Sequence, residues 1–100
     1  MIRSVAVFRL KDGVPAERIS EILSALFSLE IEGAIVTGGE DLGLRGGNAH
    51  FAVVTDLVDE EAYRRYDEDP EHNRIRRELV NPVAESIERC QFLLNHSLYE

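Results

Sequence analysis

Two segments of this chain are apolar at both of the positions between which a strand alternates. In Ile2 to Leu10, Val5 and Val7 stand at one parity and Ala6 and Phe8 at the other; in Ala49 to Leu57, Ala52 and Val54 stand against Phe51 and Val53. β-Branched and aromatic side chains suit both segments to strands. Successive strand residues point to opposite faces, so a sheet with one face in water alternates polar and apolar side chains. These two strands instead need cover on both faces. A chain of 100 residues is one domain's worth, 1–100, and has few helices to supply that cover.

The helices are legible from spacing and caps. After the turn at Lys11-Asp12-Gly13, Pro15 suits a first helical turn, and Ile19, Ile22, Leu23, Leu26 and Phe27 recur at helical period. Ala34 to Thr37 reads as a second strand, leading into a polar, glycine-rich connection from Gly38 to Asn48. Past the Ala49–Leu57 strand, Asp59-Glu60-Glu61 opens a helix that carries Ala62, Tyr63 and Tyr66 on one side. Asp69-Pro70 opens another, with Ile75 and Leu79 as its inward stripe, and Asn81-Pro82 breaks it. Ile87 to Leu94 is apolar enough for a fourth strand. The order β-α-β-β-α-α-β fits an α+β, ferredoxin-like fold, a four-stranded antiparallel sheet with helices on one face and the first and third strands central. The helices cover one face only; the same face of a second copy would cover the other, giving a homodimer.

Composition narrows the partners. Eleven Lys and Arg against nineteen Asp and Glu leave a net charge of −8, which repels nucleic acid and anionic membrane surfaces. No apolar run approaches the roughly 20 residues of a membrane span, and Arg3 and Arg9 interrupt any signal-peptide pattern at the N-terminus. The single cysteine, Cys90, can form no internal bridge, and with three histidines it makes no zinc-finger pattern; the expected location is cytoplasmic, with no metal site.

Beyond composition, three stretches stand in a specific order: Met1-Ile2-Arg3 entering a Val/Phe strand, Asp-Leu-Gly-Leu-Arg-Gly-Gly-Asn at 41 to 48, and Ala62-Tyr63 through Tyr66 to Pro70-Glu71-His72. In these the sequence resembles the stress-responsive α/β-barrel family, Dabb, of dimeric α+β barrel proteins. The resemblance implies fold more directly than chemistry, since most members have no assigned activity while one plant branch is a cofactor-free polyketide cyclase using histidine and tyrosine. Carried over by position, it implies His72 and Tyr66 as catalytic residues and His50, opening strand three, with Ser4 and Phe8 on strand one, as substrate-binding residues. Many relatives have histidine where this chain has Ser4, and a His-Pro pair where it has Asp69-Pro70; a hydroxyl at Ser4 cannot titrate near neutrality. No cofactor is implied.

Each group also has a structural reading. His72 falls at the third position of its helix, where the helix dipole disfavours imidazolium while Asp67, Glu68, Asp69 and Glu71 favour it. Tyr63 and Tyr66 are spaced as a core stripe, and His50 shares the parity of Ala52 and Val54 and so is expected on an apolar face. His96 reads as solvated. Residues 43–47 lack the Gly-Lys-Ser/Thr of a phosphate cradle, and Arg74, Arg76 and Arg77 form a basic cluster of the kind that clamps a carboxylate, but Glu71 and Glu78 are at hand to pair with them, which favours a solvated face. Cys90 reads as inert packing. Two functions remain: a small homodimeric barrel protein that binds a small hydrophobic or carbonyl-bearing molecule, or a cofactor-free cyclase, isomerase or lyase working through His72 and Tyr66. They differ in whether His72, Tyr66 and His50 converge on one pocket.

Overall fold

The central pairing is β1, Ile2–Leu10, against β3, Phe51–Leu57, and it sorts the two apolar parities onto opposite faces. In this computed structural model, which describes residues 1–94, the strand order is β2-β3-β1-β4, all antiparallel, with β2 at Ala34–Glu40 and β4 at Ala84–Leu93. His96 lies outside the described residues. This is the expected ferredoxin-like sheet with β1 and β3 in the middle. On one face lie α1 (Glu17–Phe27), α2 (Glu60–Glu68) and α3 (Pro70–Ile75), the last running on into a π-helical turn, Arg76–Val80. Among the described residues no helix is long and apolar enough to cross a membrane.

The helix-side face is the core. Phe8 and Phe51 are cross-strand partners whose rings stack with centroids 4.4 Å apart, and around them Ile19, Ile22 and Leu26 of α1, with Ile75 and Val80, are buried. Each such side chain contributes roughly 1.5–3 kcal/mol when fully buried. A second cluster, Leu57, Ala62 and Tyr66, fastens α2 to β3. Asp59 caps α2 by accepting from the Ala62 amide at 2.9 Å, and Asp69 caps α3 by accepting from the His72 amide at 2.9 Å.

Among the described residues no helix lies over the opposite face. Register places Val5 beside Val54 and Cys90, and Val7 beside Ala52, with Ile35 on β2 and Phe92 on β4 flanking them. Val7 is 37% exposed, Phe92 45% and Ile35 64%. Cys90, expected as inert packing, is exposed here. One polar pair crosses this face: Arg3 donates from Nε and Nη2 to the two carboxylate oxygens of Asp56, at 2.8 and 2.9 Å. The guanidinium beside Asp56 holds its carboxyl below the usual range.

Several boundaries differ from the sequence reading. β2 does not stop at Thr37 but runs through Gly38 and Gly39 to Glu40, which pairs with Phe51. Gly38 permits this: its φ is 153°, and a Cβ there would stand 2.2 Å from the Ala52 carbonyl oxygen, so only glycine can lie against β3 at that point. β3 begins at Phe51, leaving Ala49 and His50 in the connection. β4 begins three residues before Ile87, at Ala84, beside an irregularity in register at Arg9/Leu10 that hides its start from a pattern search. The inward residue after Ile75 is Val80, buried at 4%, while Leu79 is only partly buried. The π turn explains the shift, because its i→i+5 bond, Asn81 N–H to Arg76 O at 2.8 Å, adds a residue per turn.

Replacing Gly38 with Ala should cost about 2 kcal/mol or more, through backbone strain and collision with the Ala52 carbonyl. Gly46→Ala, with nothing within 4 Å of its added Cβ, serves as the control. Thermal melts check this: a Gly38→Ala protein melting with the wild type would contradict the close approach.

Candidate functional site

Between the helix layer and the β1/β4 side of the sheet lies a cavity of about 450 Å³. Its floor is apolar at Ala6, Phe8, Val53 and Ile87, and polar groups come to it from α2 and α3 above. The chain builds this polar roof from a helix break. Residue 70 is proline and has no N–H, so the Tyr66 carbonyl, four residues earlier, lacks its usual helical donor. His72 supplies one: its Nδ1 lies 2.6 Å from the Tyr66 oxygen, in the buried interior. The next carbonyl at the end of the same helix, that of Asp67, accepts from Arg76 Nη1 at 3.3 Å. Two side chains of the site are thus held by backbone acceptors that the α2–α3 break sets free.

A carbonyl can only accept, so Nδ1 of His72 carries the hydrogen and Nε2 holds the lone pair. His72 is only 4% exposed, yet among the described residues no buried side-chain nitrogen or oxygen is without a partner. Nε2, which bonds to nothing in the described residues, therefore opens on the cavity that His72 lines. Burial pushes this imidazole below its ordinary value. The bond to Tyr66 opposes that, Arg76 reinforces it, and Asp67 and Asp69 oppose it more weakly. The net result is a neutral base at neutral pH. Of the two opposing effects weighed at the helix start, desolvation, which the sequence does not display, is the larger.

Tyr66 stacks obliquely on His72, centroids 4.1 Å apart at 36°. Thr55 Oγ1 donates to the Tyr66 hydroxyl oxygen at 3.0 Å, which leaves the phenolic hydrogen for another acceptor. Burial pushes the phenol up, while the Thr55 bond and the Arg76 and Arg89 charges act the other way. It stays protonated at neutral pH and can donate. Ser4 and Phe8 line the same cavity, Ser4 accepting from Gln91 Nε2 at 3.3 Å.

His50 does not join them. It precedes β3, is exposed, and is not in the cavity wall; its expected position on an apolar face fails because the strand starts at Phe51, two residues after the expected Ala49. Its Nδ1 accepts from the Leu10 amide at 2.9 Å and its own amide donates to the Phe8 carbonyl at 2.9 Å, so it closes the open end of the β1/β3 ladder. Thr55, Arg76 and Arg89 also line the cavity and were not singled out for it by the sequence reading. Arg76, expected on a solvated face with Glu71 and Glu78, pairs instead with Asp67 at 3.1 Å. Arg74 does take Glu71, at 2.6 Å. The loop after β2 lies outside the cavity, folded on itself by Asp41, which accepts from the Gly43 amide and from Asn48. Among the described residues no group of three or more His, Cys, Asp or Glu is placed to hold a metal ion.

The model of the stress-responsive A/B barrel domain, Dabb, matches residues 2–92. The chain belongs to the Dabb family. A similar solved structure is a dimeric ferredoxin-like protein of unknown function from Thermobifida fusca, 34% identical, covering 93% of this chain and 90% of that one with a TM-score of 0.86. A Dabb family protein from Mesorhizobium loti is 22% identical over 94% of this chain and 96% of its own, with a TM-score of 0.76. The hydroxynitrile lyase of Passiflora edulis, 18% identical over 94% and 93%, shares the fold with a TM-score of 0.76. No curated protein is a significant match. Dabb membership accounts for the sheet and helix layer; the cavity chemistry is read from this chain's own side chains.

The lowered value of His72 has a consequence for stability. Below its unfolded value, near 6.5, the unfolded chain takes up the proton that the folded chain refuses, so stability is lost as pH falls from about 6.5 toward the folded value. His72→Asn keeps a donor for the Tyr66 carbonyl and cannot titrate. The difference in unfolding free energy between wild type and His72→Asn, measured by urea denaturation from pH 7 to 5, should shift against the wild type as the pH falls. A difference flat with pH would contradict the burial argument.

Proposed function

We propose that this Dabb protein is a homodimer whose protomers each bind a small molecule with an apolar body and a carbonyl or comparable oxygen, in the cavity between α2–α3 and the sheet. The observation carrying this reading is the convergence on one cavity of Tyr66, which has a hydrogen to donate, and His72, which has a lone pair to accept with, above an apolar floor. Binding sites for small molecules have this character, mostly apolar with a few polar groups that fix orientation. A cytoplasmic location, with Cys90 reduced, is part of the proposal.

The helix-free face of β1 and β3 supports the dimer. Val5, Val7, Ala52 and Val54 form an apolar strip there, and the Thermobifida relative is described as dimeric. Phe51 lies on the helix side and takes no part, so the probe is Val5. Light scattering at micromolar concentration should give twice the 11.3 kDa chain mass for the wild type and the single mass for Val5→Asp, because an unpaired charge buried there costs several kcal/mol. A wild-type protein that stays monomeric contradicts the dimer.

A second reading, proton transfer, is favoured by one specific observation: His72 is neutral with Nε2 open to the cavity. Nε2 would take a proton from a hydroxyl or from a carbon next to a carbonyl, and the Tyr66 hydroxyl would donate to the oxygen that gains charge. The Passiflora relative's named activity, a hydroxynitrile lyase, belongs to the same general kind of chemistry. A panel of aldehydes, ketones and 2-hydroxy nitriles, followed by binding and turnover, separates the two readings. Under the first, ligands bind with affinity reduced in Tyr66→Phe and no conversion. Under the second, conversion falls about 10²–10⁴-fold in His72→Asn with the dimer intact. No binding of any member removes both.

A further inference from the structure

The cavity carries a charge that its own polar network does not use. Its ionised lining residues are Asp67, Arg76 and Arg89. Arg76 and Asp67 satisfy each other, with Arg76 also donating to Asn73 Oδ1 at 3.0 Å. Arg89 makes no hydrogen bond or ion pair among the described residues. It stands on β4 opposite Ala6, on the same side of the strand as Ile87 and Gln91, whereas its neighbour Glu88 stands opposite Val7 on the helix-free face. The cavity lining is therefore net positive in a chain whose net charge is −8. Because β4 is an edge strand and Arg89 is exposed, this charge sits where the cavity meets solvent.

We propose that the ligand of this cavity is a carboxylic acid, its carboxylate held by Arg89 at the mouth and its apolar body lying over Ala6 and Ile87 toward Tyr66 and His72. This rests on the binding reading above and narrows it to one substrate class, an oxo or hydroxy acid with an apolar tail. A planar guanidinium matches a carboxylate with two parallel hydrogen bonds. A phosphate monoester fits less well, since the amide of His72 at the start of α3 is already taken by Asp69 and the glycine-rich loop at 41–48 lies away from the cavity. Arg89 and Tyr66 line the same cavity, so a carboxylate held by Arg89 leaves the rest of the ligand within the space that the Tyr66 hydroxyl faces. The same charge steers anions to the mouth of an otherwise acidic molecule.

The test compares 2-oxooctanoate with its methyl ester, which keeps the tail and the ketone but not the charge, by NMR titration followed at Ala6, Thr55 and His72. The acid should bind wild type about tenfold or more tightly than the ester. In Arg89→Gln the two should bind alike, with the ester's affinity unchanged, and Arg89→Lys should recover part of the preference. Arg89 is exposed and makes no hydrogen bond or ion pair among the described residues, so melting curves of these variants should superimpose on the wild type. Equal binding of acid and ester to wild type, or a preference that survives Arg89→Gln, overturns the carboxylate assignment while the ester's binding upholds the cavity reading. Absence of shifts at Ala6, Thr55 and His72 with both probes overturns both.

Discussion

The site depends on a hydrogen bond that proline makes available. With Pro70 in place of a donor, the last turn of α2 cannot pair the Tyr66 carbonyl, and a buried unpaired carbonyl costs about 1–3 kcal/mol. The imidazole of His72 fills it at 2.6 Å. That one bond has three effects. It fixes which ring nitrogen is protonated, it turns the other toward the cavity, and it ties the start of α3 to the end of α2. Asp69 works beside it, ending one helix and capping the next, so the backbone of His72 is fixed as firmly as its ring. The other ring nitrogen, Nε2, is left over after every structural demand on the residue has been met.

The sheet performs two tasks on its two sides. Phe8, Phe51 and Val53 close the core under the helices, and the same strands turn Val5, Val7 and Val54 outward onto a face without cover. On the helix side, facing residues of β1 and β4 line the cavity. Cross-strand pairs Ser4–Gln91, Ala6–Arg89 and Phe8–Ile87 thus run along the cavity floor from polar to apolar. A gradient of this kind would orient the amphipathic ligand proposed above without a dedicated loop.

Much of this was legible in the sequence, because it depends on local rules. The strand pairing order followed from the β-α-β-β-α-α-β order of the elements, the helix-free apolar face from apolar residues at both parities, and the α2–α3 break from Asp69-Pro70. Tyr66, His72, Ser4 and Phe8 were named and do line one cavity. What escaped depends on register or on desolvation. Gly38 looked like a loop residue because glycine marks turns more often than close strand contacts. A two-residue difference at the start of β3 moved His50 from the sheet to its end. Arg76 looked like one of three arginines on a wet face, and only the packing of α3 back against the end of α2, a tertiary contact, brings it over Asp67. Thr55 was a strand threonine among valines, and Arg89 a charge on an edge strand; nothing local distinguishes either from a surface residue.

The account's central claim is that His72 is neutral, protonated on Nδ1, with Nε2 open to the cavity. Long-range ¹H–¹⁵N correlation of the imidazole rings at pH 7, with His72 assigned by comparison with His72→Asn, measures this directly. The account predicts one protonated nitrogen, Nδ1, an unprotonated Nε2, and a titration midpoint below 6.5. An Nε2-protonated tautomer, or an imidazolium at pH 7, would contradict it.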